Sequence, residues 1–138
     1  ADIVAAHKIP YVATVSPAYH RDFVQKFRKA LEVEGPAFIH AISPCPRGWR
    51  SDTGKSIELA RLAVETGIHP LYEVFDGEDF QMSGPSKRLK ELKPIEDYMK
   101  PQGQFRHLFT DQWEDFRHQV QEWVNHDWEL LKKKCGVE

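Results

Sequence analysis

The chain reads as α/β, on three observations: a short apolar run at Tyr11–Val15, a helical pattern after Ser16-Pro17, and a second apolar run at Ala37–Ile42. Strand, helix, strand with a linker this long fits a right-handed crossover between adjacent parallel strands.

Asp2-Ile3-Val4-Ala5-Ala6 reads as the end of a helix running straight into the first strand, so the chain is expected to be a piece of something longer, although loss of an initiator Met before Ala1 gives the same start. Strands are predicted near residues 10 to 15 and 37 to 42, and helices near 18 to 33, 55 to 66 and 111 to 132. Ser16 supplies an N-cap and Pro17 a first-turn proline. Phe23, Phe27, Ala30 and Leu31 then recur at helical spacing until Gly35-Pro36 stops the helix. Ala37-Phe38-Ile39-His40-Ala41-Ile42 is a short, mostly apolar run bounded by turn residues, which predicts a strand buried on both faces of a parallel sheet.

Leu59, Ala60, Ala63 and Val64, with Ile57, give a further helix closed by Gly67 and Pro70. Leu71–Phe75 is a candidate for one more short strand. Between 76 and 109, Gly77, Gly84, Pro85, Pro94, Pro101 and Gly103 interrupt every pattern; the reading is an extended arm laid over a neighbour, with a short helix around Ile95 to Met99. Thr110 caps a last helix whose apolar stripe runs through Trp113, Phe116, Val120, Trp123 or Val124, Trp128 and Leu131, with Lys132 to Lys134 complementing its C-terminal dipole. The division is 1–75 for the α/β part and 76–138 for the arm and amphipathic helix.

Composition narrows the function classes. Over 138 residues, 19 basic and 21 acidic side chains give a net charge of -2, with no bulk field or local patch to attract nucleic acid. No stretch approaches the roughly 20 apolar residues needed to span a bilayer. Cys45 and Cys135 lie far apart in dissimilar surroundings, and a reducing cytoplasm is the simpler reading. There is no GxGxxG, no phosphate-binding loop, no HExxH and no GxSxG, so none of the seven histidines has a metal partner motif.

One loop stands out. Ser43-Pro44-Cys45-Pro46-Arg47-Gly48-Trp49 follows the second strand at the carboxyl edge, where open parallel sheets bind ligands. Prolines on both sides fix the direction of the Cys45 thiol, which suits a metal ligand; a buried, inert thiol remains the competing reading. One thiol cannot hold a cubane cluster, which takes four cysteines, so any such role needs ligands from outside these residues.

The string Gly35 to Trp49, then Ser56-Ile57-Glu58-Leu59-Ala60-Arg61-Leu62-Ala63-Val64-Glu65-Thr66-Gly67 and Pro70-Leu71-Tyr72-Glu73, resembles the C-terminal half of the thiamine-diphosphate-binding beta subunit of 2-oxoacid:ferredoxin oxidoreductases. Ala6 to Thr14, Pro94 to Tyr98 and Gln102 to Leu108 match the same subunit in the same order. The loop looks like the pyruvate and branched-chain type rather than the 2-oxoglutarate type, and pyruvate is the expected substrate.

The resemblance implies that residues 1–75 are part of a thiamine-diphosphate-binding-type parallel sheet flanked by helices. It implies a complete enzyme that uses thiamine diphosphate, Mg²⁺ and a proximal [4Fe-4S] cluster to decarboxylate a 2-oxoacid oxidatively to acyl-coenzyme A, with electrons passing to ferredoxin. Cys45 matches the family's last cluster ligand. The GDG motif and the other cluster cysteines are absent from this sequence, so no catalytic residue is assigned here and the segment alone is not expected to be active. Its partners would be the remaining part of the beta subunit and the other subunits of the complex. The alternative is a non-catalytic α/β interaction module, or a split-subunit scaffold, without the cofactors. Arg47 and His69 stand where a small polar residue and an aromatic are commoner.

Overall fold

A computed structural model describes residues 1–137. A one-turn helix α1 (Asp2–Ala5) leads into β1 (Tyr11–Val15), α2 (His20–Glu32), β2 (Ala37–Ala41), the short α3 (Pro46–Trp49) and α4 (Ser56–Glu65). Then come β3 (Tyr72–Phe75), β4 (Asp79–Met82), α5 (Gly84–Lys87), α6 (Ile95–Met99) and the long α7 (Glu114–Lys134).

The four strands form one open sheet in the order β2-β1-β3-β4. β1 and β2 are parallel, with Tyr11 opposite Ala37 and Val15 opposite Ala41, as the crossover through α2 requires. β3 pairs antiparallel with β1, and β4 antiparallel with β3, so the sheet is mixed where the sequence predicts a parallel one. For β4 the reason lies in the turn that joins it to β3. Asp76 (φ 51°) and Gly77 (φ 74°) both adopt the left-handed region, and a Cβ on Gly77 would stand 2.5 Å from the Ala5 carbonyl oxygen. An Asp-Gly pair of this kind folds the chain straight back as a hairpin.

The segment after β4 also departs from an arm laid over a neighbour. It folds back on its own chain: Ile95, Tyr98, Met99 and Leu108 are buried with Ala63 of α4 and Val124 of α7. Gln121 on α7 accepts a hydrogen bond from the Ile95 amide through Oε1 at 2.7 Å, and Arg117 pairs with Glu96 at 2.8 Å. On α7 the inward residues are Val124, Trp128 and Leu131, whereas Trp123 is exposed.

β1 is the centre of the structure. Val12 packs with Ala5, Tyr72, Val74, Met82, Trp128 and Leu131 on one face. The opposite face, under α2, carries a polar cluster beside Ala13 and Val15: the Tyr11 hydroxyl donates to Glu73 Oε1 at 2.6 Å and Lys29 Nζ reaches the same carboxylate at 2.8 Å. Lys26, fully buried, donates to the Thr14 carbonyl at 2.8 Å and pairs with Asp22 at 2.8 Å. A buried ammonium is tolerated only with such partners.

β2 is the main correction to the sequence reading. It lies at the sheet edge, and of its five residues only Ile39 is partly buried. Among the described residues it has neither a second neighbouring strand nor cover on both faces.

Candidate functional site

The loop carrying Cys45 leaves the carboxyl end of β2, at the edge of the sheet that the sequence singles out. The Ile42 amide still donates to the Val15 carbonyl at 3.1 Å, extending the β1–β2 ladder by one step. Pro44 cannot donate to a ladder, and the chain turns away from the sheet there.

Cys45 is in extended conformation (φ -109°, ψ 98°) and caps α3, with Pro46 at the first helical position. Its Sγ accepts a hydrogen bond from the Gly48 amide at 3.4 Å, and its carbonyl accepts from the Trp49 amide at 2.8 Å. A Cβ on Gly48 would come within 3.3 Å of that sulfur, so glycine keeps the space beside the thiol clear. Cys45 is solvent-exposed, so the buried reading does not hold among the described residues.

The loop is fixed from behind. Trp49 meets Tyr98 edge to face at 6.2 Å, which ties α3 to the buried cluster under α6. Arg50 sits in the left-handed region (φ 52°), and its carbonyl accepts from the Gly103 amide at 3.1 Å. A side chain on Gly103 would approach Arg50 Cβ to 2.9 Å, so this crossing of two loops requires glycine there. The sequence reading picks out the Pro-Cys-Pro triplet but misses this brace, because Arg50 and Gly103 are far apart in the chain and carry no shared motif.

Beside the loop, at the end of β1 and β2, two histidine rings meet edge to face at 5.1 Å. His69 is buried and its Nε2–H donates to the Val15 carbonyl at 3.0 Å. Burial pushes its pKa down to about 4, with the nearby His40 acting in the same direction, so the ring is neutral at pH 7. It is a packing element with a hydrogen bond to β1.

Cys135 differs from Cys45 in exposure and surroundings. It follows α7, packs against the cluster around Val12, and burial pushes its thiol up to about 11. A raised pKa disfavours the thiolate, the form that attacks and ligates.

Among the described residues no group of three or more His, Cys, Asp or Glu could hold a metal ion. Cys45 is therefore not a metal site complete in itself. The described residues likewise contain no phosphate-binding loop for thiamine diphosphate. None of the described helices is long and apolar enough to cross a membrane.

No family model matches the chain. Among curated proteins, the ketoisovalerate oxidoreductase subunit VorB of Pyrococcus furiosus is 48% identical over 136 residues, which is 99% of this chain and 42% of that protein. The pyruvate synthase subunit PorB of Methanosarcina barkeri is 48% identical over 108 residues, 78% of this chain and 35% of that protein. The pyruvate synthase subunit PorB of Pyrococcus furiosus is 46% identical over 134 residues, covering 86% of this chain and 40% of its own length. The chain thus spans about two fifths of the length of the relatives it matches.

Proposed function

This chain belongs to the beta subunits of 2-oxoacid:ferredoxin oxidoreductases, corresponding to their C-terminal part, and we propose that it serves such an enzyme by supplying one thiolate ligand, Cys45, to the cluster nearest the thiamine. The observation that carries this is the exposed, proline-flanked Cys45 at the carboxyl end of β2, in a segment matched over 99% of its length by a subunit of an oxidoreductase.

On this reading residues 1–75 belong to the thiamine-diphosphate-binding domain, and 76–138 close one side of it. When bound in the whole enzyme, thiamine diphosphate with Mg²⁺ supplies the decarboxylation and the [4Fe-4S] cluster the one-electron transfers to ferredoxin, the acyl group passing to coenzyme A. The part of this chain is to hold the sulfur at a fixed place. Pro44 and Pro46 set its direction, Gly48 leaves room beside it, and the Gly48 amide donates to it. Such a hydrogen bond to a cluster sulfur is one of the levers that sets its potential.

The substrate is a 2-oxoacid of the pyruvate or branched-chain type. Identity does not favour the expected pyruvate, since VorB and PorB relatives both reach 48%. Initial rates with pyruvate and 2-oxoisovalerate, measured on the purified complex, decide between them. The setting is a reducing compartment, in which an exposed thiol stays free.

Cys45→Ser in the intact enzyme tests the role of the sulfur. Serine keeps the size and removes the soft donor, so iron content should fall, or the cluster potential shift, and ferredoxin reduction should slow. Cys135→Ser should change none of these. Full iron and unchanged electron delivery in Cys45→Ser would leave the segment as scaffold only.

A further inference from the structure

We propose that the cavity where the end of α3 meets the segment after α6 is an anion site, in which Arg50, Lys100 and Arg106 bind the phosphate groups of a small diphosphate-bearing ligand. The site is separate from Cys45 and does not depend on that residue's role.

The first observation is positive charge without its opposite. The cavity holds about 340 Å³, and its walls include Arg50, Lys100 and Arg106 but no Asp or Glu. Arg50 and Arg106 are exposed, and neither forms an ion pair among the described residues. Lys100 pairs with Glu96 at 2.9 Å, but Arg117 takes the other oxygen of that carboxylate at 2.8 Å. Arg50, Lys100, Arg106 and Arg117 are thus set against Glu96 alone, an excess of three positive charges in a chain whose net charge is -2. Lys100 and Arg117 hold the Glu96 carboxyl below the usual carboxylate range, so it is ionised and fully engaged at neutral pH. Cations gathered without a counter-charge repel one another, and an anion placed between them removes that cost.

The second observation is that these groups are held in place. Arg50 follows α3 in the left-handed region (φ 52°), and its carbonyl accepts from the Gly103 amide at 3.1 Å, which ties the two loops carrying Arg50 and Arg106 together. Lys100 Nζ and Arg117 Cζ lie over the Phe109 ring, 5.7 and 5.3 Å from its centre. Gln102, the remaining polar side chain of the wall, is buried; its Nε2 donates to the Tyr98 carbonyl and its Oε1 accepts from Gln104. The cations are therefore the side-chain donors left open to a ligand.

Those donors select its chemistry. A guanidinium is a planar fork that matches two oxygens of one phosphate. A carboxylate would bring a single negative charge against an excess of three, whereas each phosphomonoester brings about -1.5 to -2. The volume lies at the small end of the range for ligand pockets, roughly 300 to 1,000 Å³, enough for a diphosphate and the group next to it. An anion held across Arg50 and Arg106 would clamp the two loops whose crossing braces the Pro-Cys-Pro loop.

The test uses the enzyme purified with its accompanying subunits, at about 0.15 M salt so that diffuse surface attraction is screened. The probes are inorganic pyrophosphate and ADP. In the unaltered protein they should protect Arg50 and Arg106 from phenylglyoxal, read residue by residue by peptide mass spectrometry, while the reactivity of Arg21 and Arg28 on α2 does not change. Protection by ADP at about tenfold lower concentration than by pyrophosphate assigns the diphosphate to a nucleotide, and comparable concentrations assign it to free pyrophosphate. Arg50→Gln and Arg106→Gln keep most of the stem and remove the charge. Each should raise the concentration that half-protects the other arginine by about tenfold or more, as expected for a lost charged hydrogen bond, whereas Lys90→Gln should not. No protection of either arginine by millimolar pyrophosphate or ADP, or an equal loss in Lys90→Gln, would overturn the site. Cys45→Ser should leave the protection unchanged, so that failure of the iron role and failure of the anion site are read separately.

Discussion

β1 and β2 are neighbours in one sheet, five residues each and mostly apolar, yet every residue of β1 is buried and four of five in β2 are exposed. Their sequences do not differ enough to explain this; their places do. β1 has a strand on each side, α2 on one face and the α7 cluster on the other. β2 has β1 on one side only. An apolar run therefore tells that a strand is destined for cover, and the fold of the chain decides whether the chain itself provides it.

The largest test of this difference places a charge on each strand. Val12 is fully buried among Val74, Trp128 and Leu131, and Val12→Asp puts an unpaired carboxylate there. A buried charge without a partner costs on the order of 3–5 kcal/mol, a large part of a domain's stability, so soluble yield and near-UV circular dichroism should collapse. Phe38, directly opposite Val12 on β2 and 38% exposed, should accept Phe38→Asp with the chain still folded. Equal damage at both sites would erase the distinction between the strands.

Next in size is the charge that β1 already tolerates. Burial pulls the Lys26 pKa down, while the Asp22 carboxylate opposes that shift. Lys26→Met keeps the stem and removes the ammonium, leaving the Thr14 carbonyl without this donor and Asp22 without its ion pair. Losing one charged partner of a buried pair costs about 2 kcal/mol, read as a lower urea midpoint at unchanged slope.

A smaller effect appears with pH. His69 has its pKa lowered by burial to about 4, against an ordinary value near 6.5 in the unfolded chain. Between these values the unfolded state binds the extra proton, so stability is fully present above about pH 6.5 and is lost as pH falls toward 4, at up to about 1.4 kcal/mol per pH unit. His69→Phe should flatten that slope in urea titrations at pH 7, 6 and 5. The Val15 carbonyl keeps the Ile42 amide as a donor in the variant, so the change isolates the ring's titration.

The same comparison shows what the sequence makes legible. β1, α2, β2, α4 and α7 follow from periodicity and punctuation by Ser16-Pro17, Gly35-Pro36 and Gly67, because those signals are local. The β3–β4 hairpin is carried by Asp76-Gly77, a signal hidden among the Gly and Pro residues read as an arm, with a second strand only four residues long and half polar. The inward face of α2 is missed for another reason: its buried residue is Lys26, and hydrophobic patterning assigns lysine to solvent. On α7 the pattern leaves Trp123 and Val124 open, and the core takes Val124. At the site, the Pro-Cys-Pro loop is legible because proline and cysteine act where they stand. The contact of Arg50 with Gly103 is not, since only the folded chain brings those loops together.

The smallest expected effect sharpens the comparison most. Leu31, on the apolar flank of α2, is 85% exposed, so Leu31→Gln removes almost no buried area from the chain by itself. Leucine and glutamine have similar helix propensities, and the position is one residue from the end of α2, so the backbone term is also small. Urea unfolding of the 138-residue chain should move by no more than about 0.5 kcal/mol, as at other exposed sites. In the assembled protein, a neighbour packed on this flank would turn the same substitution into a buried amide, at a cost of about 1–3 kcal/mol. A loss that grows on assembly identifies Leu31 as core in waiting. An equally small effect in both settings would make β2 and the apolar flank of α2 an ordinary solvent surface.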